Sequence, residues 1–193
     1  MLKQARGHVR RPLQTRFVGG DAGPWVVDRI DPITGPSLPH APHVTVIESA
    51  TATLPRNPAW VLRGVFGHER YTTPEEHEAL ARRQEPLGRT AATRAALIAV
   101  SKSEEWWQLS QDERRAIFEE RSHHIEIGTE YLPAVARRLH QGRDLGEPFD
   151  FITWFEFGPR HTSAFEQLVG RLRATEEWSY VVREIDIRLS KEA

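Results

Sequence analysis

The chain has 193 residues, 39% of them apolar and 27% charged, a composition that is typical of a folded globular protein and excludes disordered and fibrous classes. Its 26 basic and 27 acidic residues leave a net charge of -1, so the bulk charge predicts no nucleic-acid partner. The absence of cysteine excludes disulfides, thiolate catalysis and cysteine-based zinc sites.

The first segment, residues 1–15, is rich in lysine and arginine and precedes the first acidic residue, Asp21. A targeting peptide, a contact with an anionic partner, or a disordered arm would each account for this composition. We interpret it as a basic arm and expect it to be disordered. No apolar run approaches the roughly 18 residues of a membrane span, so we expect no membrane partner and a cytoplasmic protein, with the periplasm as the alternative compartment.

Short extended segments, separated by proline and glycine turns, follow in the first half of the chain. They predict strands at 16–18, 25–30, 43–47 and 60–66. Thr73 then caps a helix whose first turn contains Pro74 and whose capping box is closed by Glu76. This helix is predicted to end near Gln84.

The second half of the chain has a clearer pattern. An apolar run predicts a buried strand at 94–100, and Ser103 begins a brief helix. Ser110 opens a second capping box and a longer helix, which is predicted to continue through Ile117 to His124. On a continuous helix Ile117 and His124 share one stripe, so we expect the His124 side chain to point inward.

An alternating pattern follows this helix. It places Val135, Arg137 and Leu139 on one face of a predicted strand. After a turn at 142–148, alternating aromatic residues predict a second strand at 149–157. The two strands are expected to pair as a hairpin.

A helix at 163–173 and a strand at 180–189 complete the chain. Residues 91–190 therefore have the order β-α-β-β-α-β, which is that of a ferredoxin-like fold. Residues 16–90 resemble a degenerate second copy, with its own strands and a single helix. The predicted fold class is α+β, with two ferredoxin-like halves.

Two inward-facing polar residues are the strongest chemical candidates. Arg137 places a charge on an apolar strand face, where it must pair with an acid across the sheet, bind an anion or extend its charged end to solvent. His124 is either a core histidine satisfied by hydrogen bonds or a ligand. Its neighbour His123 is rotated by about 100° around the helix and cannot share a metal with it. From the residues alone, these alternatives stay open for Arg137 and for His124.

Six segments of the second half resemble the short, dimeric branch of the chlorite dismutase family. They are SHHI at 122–125, YLP at 131–133, RDLGEPFDF at 143–151, TWFEF at 153–157, LRATEEW at 172–178 and EIDIRL at 184–189. The resemblance extends from Arg16 to the C-terminus and is strongest after Arg89. Matches of this length are far more specific than a short motif.

This resemblance implies that the chain binds haem b and that His124 is the protein ligand of the iron. It places Arg137 over the open face of the haem and makes Glu177 the carboxylate that holds the His124 imidazole. The further site residues that it implies are Lys102 in the same network, Gln84 on the distal side, and Trp107, Thr153 and Phe155 in the pocket wall. It also implies a dimeric α+β barrel and a homodimer, with the haem site in residues 91–190.

The reaction implied by the resemblance is the decomposition of chlorite, a small-molecule substrate, to chloride and dioxygen through ferryl iron and hypochlorite. One alternative is a related haem protein, either a coprohaem decarboxylase or a peroxidase-like enzyme. Arg137 argues against the decarboxylase, because those relatives generally lack this arginine. The other alternative is a haem-free dimeric α+β barrel that acts as a binding module, against which His124 and Glu177 argue.

Overall fold

The computed structural model describes residues 14–48, 52–66 and 71–191. Within these ranges eight strands close into one barrel. They are β1 (Gln14–Gly20), β2 (Trp25–Thr34), β3 (His43–Ile47), β4 (Trp60–Val65), β5 (Arg94–Lys102), β6 (Val135–Gln141), β7 (Phe151–Phe157) and β8 (Val181–Ser190). Their order around the barrel is β1-β3-β2-β8-β5-β7-β6-β4, and adjacent strands run antiparallel.

Five α-helices accompany the strands in the described part of the chain. They are α1 (Pro74–Arg83), α2 (Glu104–Gln108), α3 (Gln111–Arg115), α4 (His124–Glu130) and α5 (Thr162–Arg173). A π-helical segment, Ala116–Arg121, follows α3, and a 3-10 turn at Glu176–Tyr180 precedes β8. The predicted capping boxes of α1 and α3 are both present. None of the described helices has the length and apolar character needed to cross a membrane.

The strand order repeats between the two halves of the chain. The order β4-β1-β3-β2 of the first half has the same pattern as the order β8-β5-β7-β6 of the second half. Each half has the strand order of a ferredoxin-like sheet, and the barrel closes because β2 pairs with β8 and β4 with β6. The predicted α+β class with two such halves is confirmed. Residues 1–13 of the predicted disordered arm lie outside the described residues, and the prediction is wrong for Gln14 and Thr15, which pair as the first residues of β1.

Alternation along the strands separates two apolar cores. The interior of the barrel is filled by large side chains such as Phe17, Trp25 and Trp154. On the outer face of the second half, α5 packs Phe165 and Leu168 against β5 and β7. Space for a site therefore exists outside the barrel, where helices cover the sheet.

The prediction of one long helix that reaches His124 is wrong, because the helix is broken before this residue. The π-helical segment follows α3, and His123 then adopts a left-handed φ of 53° that interrupts the helical path. The Glu119 carboxylate accepts hydrogen bonds from the backbone N–H of Ile125 at 2.6 Å and of Glu126 at 3.2 Å, which satisfies the first donors of a new helix. Helix α4 begins at His124, so the break, and not the predicted stripe, determines the direction of this imidazole.

The alternation predicted for 149–157 also fails at its first residue. That pattern places Phe149 on the same face as Phe151, whereas Phe149 is fully buried inside the barrel beside Trp154. The strand begins only at Phe151, because the chain changes direction at Asp150. The remaining strand residues keep the predicted faces.

Candidate active site

A cavity of about 300 Å³ lies on the outer face of the second half, between the sheet and the helices. Most of its lining is apolar. The sheet contributes Ile98, Val100, Arg137, Leu139, Gln141, Phe151, Thr153 and Phe155, and the helical segments contribute Leu80, Phe118, His124, Val169 and Leu172. Because the sheet residues alternate along their strands, a single face of β5, β6 and β7 forms the floor of the cavity.

One wall of the cavity carries a line of three charged or polar groups. His124 Nδ1 lies 2.6 Å from Glu177 Oε2, although the two residues are 53 positions apart. Lys102 Nζ donates to Glu177 Oε1 at 2.8 Å and to the Glu177 backbone carbonyl at 2.9 Å. The Lys102 and Glu177 side chains are 2% and 5% exposed, and the imidazole is 20% exposed. The line therefore starts in the protein interior and ends with the imidazole at the cavity.

The charges of this line control the ionisation of Glu177. Burial alone would raise the pKa of Glu177, because a carboxylate loses its hydration in the interior. The charges of His124 and Lys102 and their hydrogen bonds lower this pKa instead, to about 2. At neutral pH Glu177 is a carboxylate that can hold a proton on His124 Nδ1, which leaves the lone pair of Nε2 available to a ligand.

Two local contacts place these residues. The backbone N–H of Glu177, in the turn before β8, donates to Ser122 Oγ at 2.9 Å, which ties this turn to the helix break. The Phe118 ring stacks on the His124 imidazole with centroids 4.3 Å apart and an interplanar angle of 20°. His123, in contrast, is 57% exposed and faces Glu126 at 3.0 Å. The break thus turns one histidine of the pair inward and leaves the other at the surface.

Arg137 enters the cavity from β6 and meets helix α4. A Cβ on Gly128, one turn beyond His124, would come within 2.7 Å of the Arg137 Cζ. The missing side chain of Gly128 therefore provides the space in which the guanidinium lies. The next residue, Arg138, faces away from the cavity and pairs with Glu48. Alternation along β6 aims one of two adjacent guanidinium groups at the cavity, as the strand pattern predicts.

The other residues predicted for the site lie in different places. Three of them line the cavity: Gln84, Thr153 and Phe155. Trp107 does not line it, because its indole N–H donates to Asp150 at 3.2 Å and its ring stacks on Phe151. Trp106 lines the cavity instead. Successive residues of α2 are rotated by about 100°, so only one of the two tryptophans can face the cavity.

Several residues of the cavity were missed by sequence reasoning. His77 and Leu80 lie on the same face of α1 as Gln84, a helical spacing that could have been recognised from Gln84 alone. Phe118 lies in the π-helical segment, where the ordinary helical period does not apply. Gly128 carries no side chain to mark it. The sequence could therefore have indicated His77 and Leu80, whereas the positions of Phe118 and Gly128 depend on tertiary structure.

The protein is a closed α+β barrel with an apolar cavity. Beside this cavity, hydrogen bonds join the Lys102 ammonium, the Glu177 carboxylate and the His124 imidazole in a line. Residues 45–192 match the model of the chlorite dismutase family. A dimeric chlorite dismutase from Nitrobacter winogradskyi is 53% identical, with a TM-score of 0.85, and the match covers 92% of this chain and 99% of that chain. A mutant chlorite dismutase from Candidatus Nitrospira defluvii is 25% identical, with a TM-score of 0.58, over 70% of this chain and 56% of that chain. A comparison with curated proteins gives no match.

The chain therefore belongs to the chlorite dismutase family, and the predicted resemblance is confirmed. Membership of this family implies an oxidoreductase. The matched range contains His124, Arg137 and Glu177.

Proposed function

We propose that this protein is a haem b enzyme that decomposes chlorite to chloride and dioxygen. The observation that carries the proposal is the arrangement around one cavity, in which a buried carboxylate holds an imidazole and the facing sheet supplies an arginine. In a member of the chlorite dismutase family, this arrangement supports an iron ligand at His124 and an anion-binding group at Arg137.

The residues of the cavity fit a haem. Its lining is mostly apolar, as a porphyrin requires. Because His124 Nδ1 is engaged by Glu177, Nε2 is the nitrogen that would hold the iron. When bound, the haem would supply the redox-active iron at which the chlorine–oxygen bonds of chlorite are broken.

Glu177 and Lys102 would set the properties of the ligand. The Glu177 carboxylate fixes the orientation of the His124 ring and increases its electron donation, which favours ferric iron. Lys102 holds Glu177 through two hydrogen bonds and prevents its rotation away from the imidazole. Their burial keeps water from competing for these bonds.

Arg137 would bind the substrate. A guanidinium attracts and orients a small anion through a planar set of donors and does not need to transfer a proton. The same group would hold a chlorine oxyanion such as hypochlorite close to the site and slow its escape. Retention matters because free hypochlorite attacks haem and protein.

Oxygen yield per chlorite, measured with an oxygen electrode on the haem-loaded protein, tests this proposal. We expect Arg137→Ala to keep its Soret band but to turn over more slowly and stop early, and methionine, which traps hypochlorite, to extend its progress curve. Arg137→Lys should recover part of the activity, because a point charge lacks the planar fork. Arg138→Ala is the matched control, since that side chain pairs with Glu48 away from the cavity.

Different failures would contradict different parts of the proposal. An Arg137→Ala protein as fast and durable as the wild type would remove Arg137 from the mechanism. A wild-type protein with a Soret band but no oxygen release would leave a haem protein of another activity. Protein that takes up no haem would contradict the cofactor assignment.

We also propose that the protein is a homodimer, because the relative with 53% identity is described as dimeric. Size-exclusion chromatography with light scattering should give twice the mass of one chain. A monomer at micromolar concentration would contradict this assembly.

A further inference from the structure

We infer that Asp150 is a positioning residue for the proposed haem ligand. It holds the end of β5 in the place from which Lys102 fixes Glu177, and so acts on His124 through two intermediate side chains. This inference rests on the proposed haem site and extends it to a residue that does not line the cavity.

Lys102 lies where the regular ladder of β5 ends. On one side of the strand, the register with β8 shifts between Ser101 and Lys102 and passes over Val182. On the other side, pairing with β7 ends at Val100. Lys102 is buried, so its backbone N–H must find an acceptor beyond the last ladder pair of β5 and β7.

The Asp150 carboxylate supplies this acceptor. Its Oδ2 accepts the Lys102 backbone N–H at 2.7 Å, while the backbone N–H of Asp150 donates to the Val100 carbonyl at 2.9 Å. The carboxylate thus takes the place of a strand carbonyl. The same oxygen accepts the Trp107 indole N–H at 3.2 Å, and Oδ1 accepts from Arg143 at 3.3 Å. With 7% of its surface exposed, Asp150 is held on both oxygens inside the protein.

The Lys102 side chain extends from this anchored backbone to Glu177. Its ammonium lies 4.8 Å from the centroid of the Trp106 ring and 5.4 Å from that of Trp178, so both rings enclose it. Burial lowers the pKa of Lys102, and the charges of Glu177 and Asp150 oppose that effect. Loss of the Asp150 carboxylate would therefore release the Lys102 backbone and also weaken the charged form that holds Glu177.

The first test uses the full chain without haem, so that its result does not depend on the cofactor. The NMR signal of the buried Lys102 ammonium should be visible in the wild type, because its protons exchange slowly with water. Asp150→Ala should lose this signal and expose the Lys102 backbone and Trp107 indole N–H to exchange. Asp150→Asn keeps one oxygen acceptor and should retain part of the protection. An unchanged Lys102 ammonium signal in Asp150→Ala would overturn the inference.

The second test measures the iron–imidazole stretching frequency of the ferrous, haem-loaded protein by resonance Raman spectroscopy. Asp150→Ala should shift the frequency in the same direction as Glu177→Ala, but less. Haem release, measured by transfer to a haem-free globin, should become faster by up to about tenfold. Tenfold is the lower end of the effect on metal affinity when an outer partner of a metal ligand is lost. Because Asp150 acts through Lys102, the shift should vanish in a Lys102→Met background.

Glu147→Gln provides the control, because Glu147 is a carboxylate of the same turn whose partner is Arg63 and not β5. It should leave the frequency unchanged. A wild-type frequency in Asp150→Ala, or an equal shift in the Lys102→Met background, would overturn the inference. A frequency shift without any oxygen release from chlorite would support Asp150 while contradicting the proposed reaction.

Discussion

Replacing Glu177 by glutamine tests the buried ion pair. The change keeps the shape of the side chain but leaves the Lys102 ammonium, 2% exposed, without its opposite charge. Breaking a buried pair in this way costs about 3–5 kcal/mol. The charges of His124 and Lys102 both lower the pKa of Glu177, which agrees in direction with a stabilising carboxylate at this position. We therefore expect Glu177→Gln to reduce the free energy of unfolding by about 3 kcal/mol and the thermal midpoint by roughly 6–12 °C.

Urea unfolding of the haem-free protein at neutral pH, followed by tryptophan fluorescence, measures this loss. Glu176→Gln is the matched control, because Glu176 forms an exposed pair with Arg121 at 3.4 Å, and the expected change is within about 0.5 kcal/mol. Adding Lys102→Met to Glu177→Gln should restore most of the stability, because no charge is then left unpaired in the interior. Additive losses in the double variant would contradict the pairing.

The same pair predicts a pH window. A carboxylate with a lowered pKa stabilises the folded state fully above its ordinary value of 4.5, and this contribution is lost as the pH falls from 4.5 towards 2. The difference in stability between the wild type and Glu177→Gln should shrink over that range. A difference below about 1 kcal/mol at neutral pH, or one that does not vary across this window, would refute the reasoning.

The remaining predictions concern the ligand helix and the barrel interior. His124→Ala should lose stable haem binding and His123→Ala should keep it; equal Soret bands in both would contradict the ligand assignment. Gly128→Ala should displace the Arg137 guanidinium and weaken anion binding to the haem-loaded protein by about tenfold, at unchanged haem content. Titration with nitrite measures this affinity, and an unaltered value would contradict the prediction. Burial lowers the pKa of His140 from 6.5 to about 4, so stability should fall as the pH decreases from 6.5 to 4, and the same slope in His140→Asn would exclude this cause.

Much of the fold could be predicted from local pattern. The caps at Thr73 and Ser110, the strand alternation around Arg137 and the inner stripe of α5 each depend on residues a few positions apart, and all are present in the structure. The helix through His124 could not be predicted correctly, because its π-helical segment and left-handed residue depend on contacts with distant parts of the chain.

The candidate site was less accessible to local reasoning. From the residues alone, His124 is more typical of a core histidine than of a ligand, and only the family resemblance supplied Glu177 as its partner. The structure places these two residues 2.6 Å apart. It also shows that Trp106, and not the predicted Trp107, lies in the cavity wall. The rotation of a short helix about its axis depends on how the helix packs and not on its own composition.

The amino-acid sequence by itself determined the strands and most of the helices, the face on which Arg137 lies and, through long motifs, the family. Tertiary structure decided which distant groups meet: it brings Asp150 to Lys102 across 48 positions, and it places Glu177, which only the resemblance had indicated, against His124 across 53. The physical reason is the separation along the chain of the residues that interact. Capping and alternation are interactions between chain neighbours, whereas a buried charge finds its partner only after the sheet and helices have packed and excluded water.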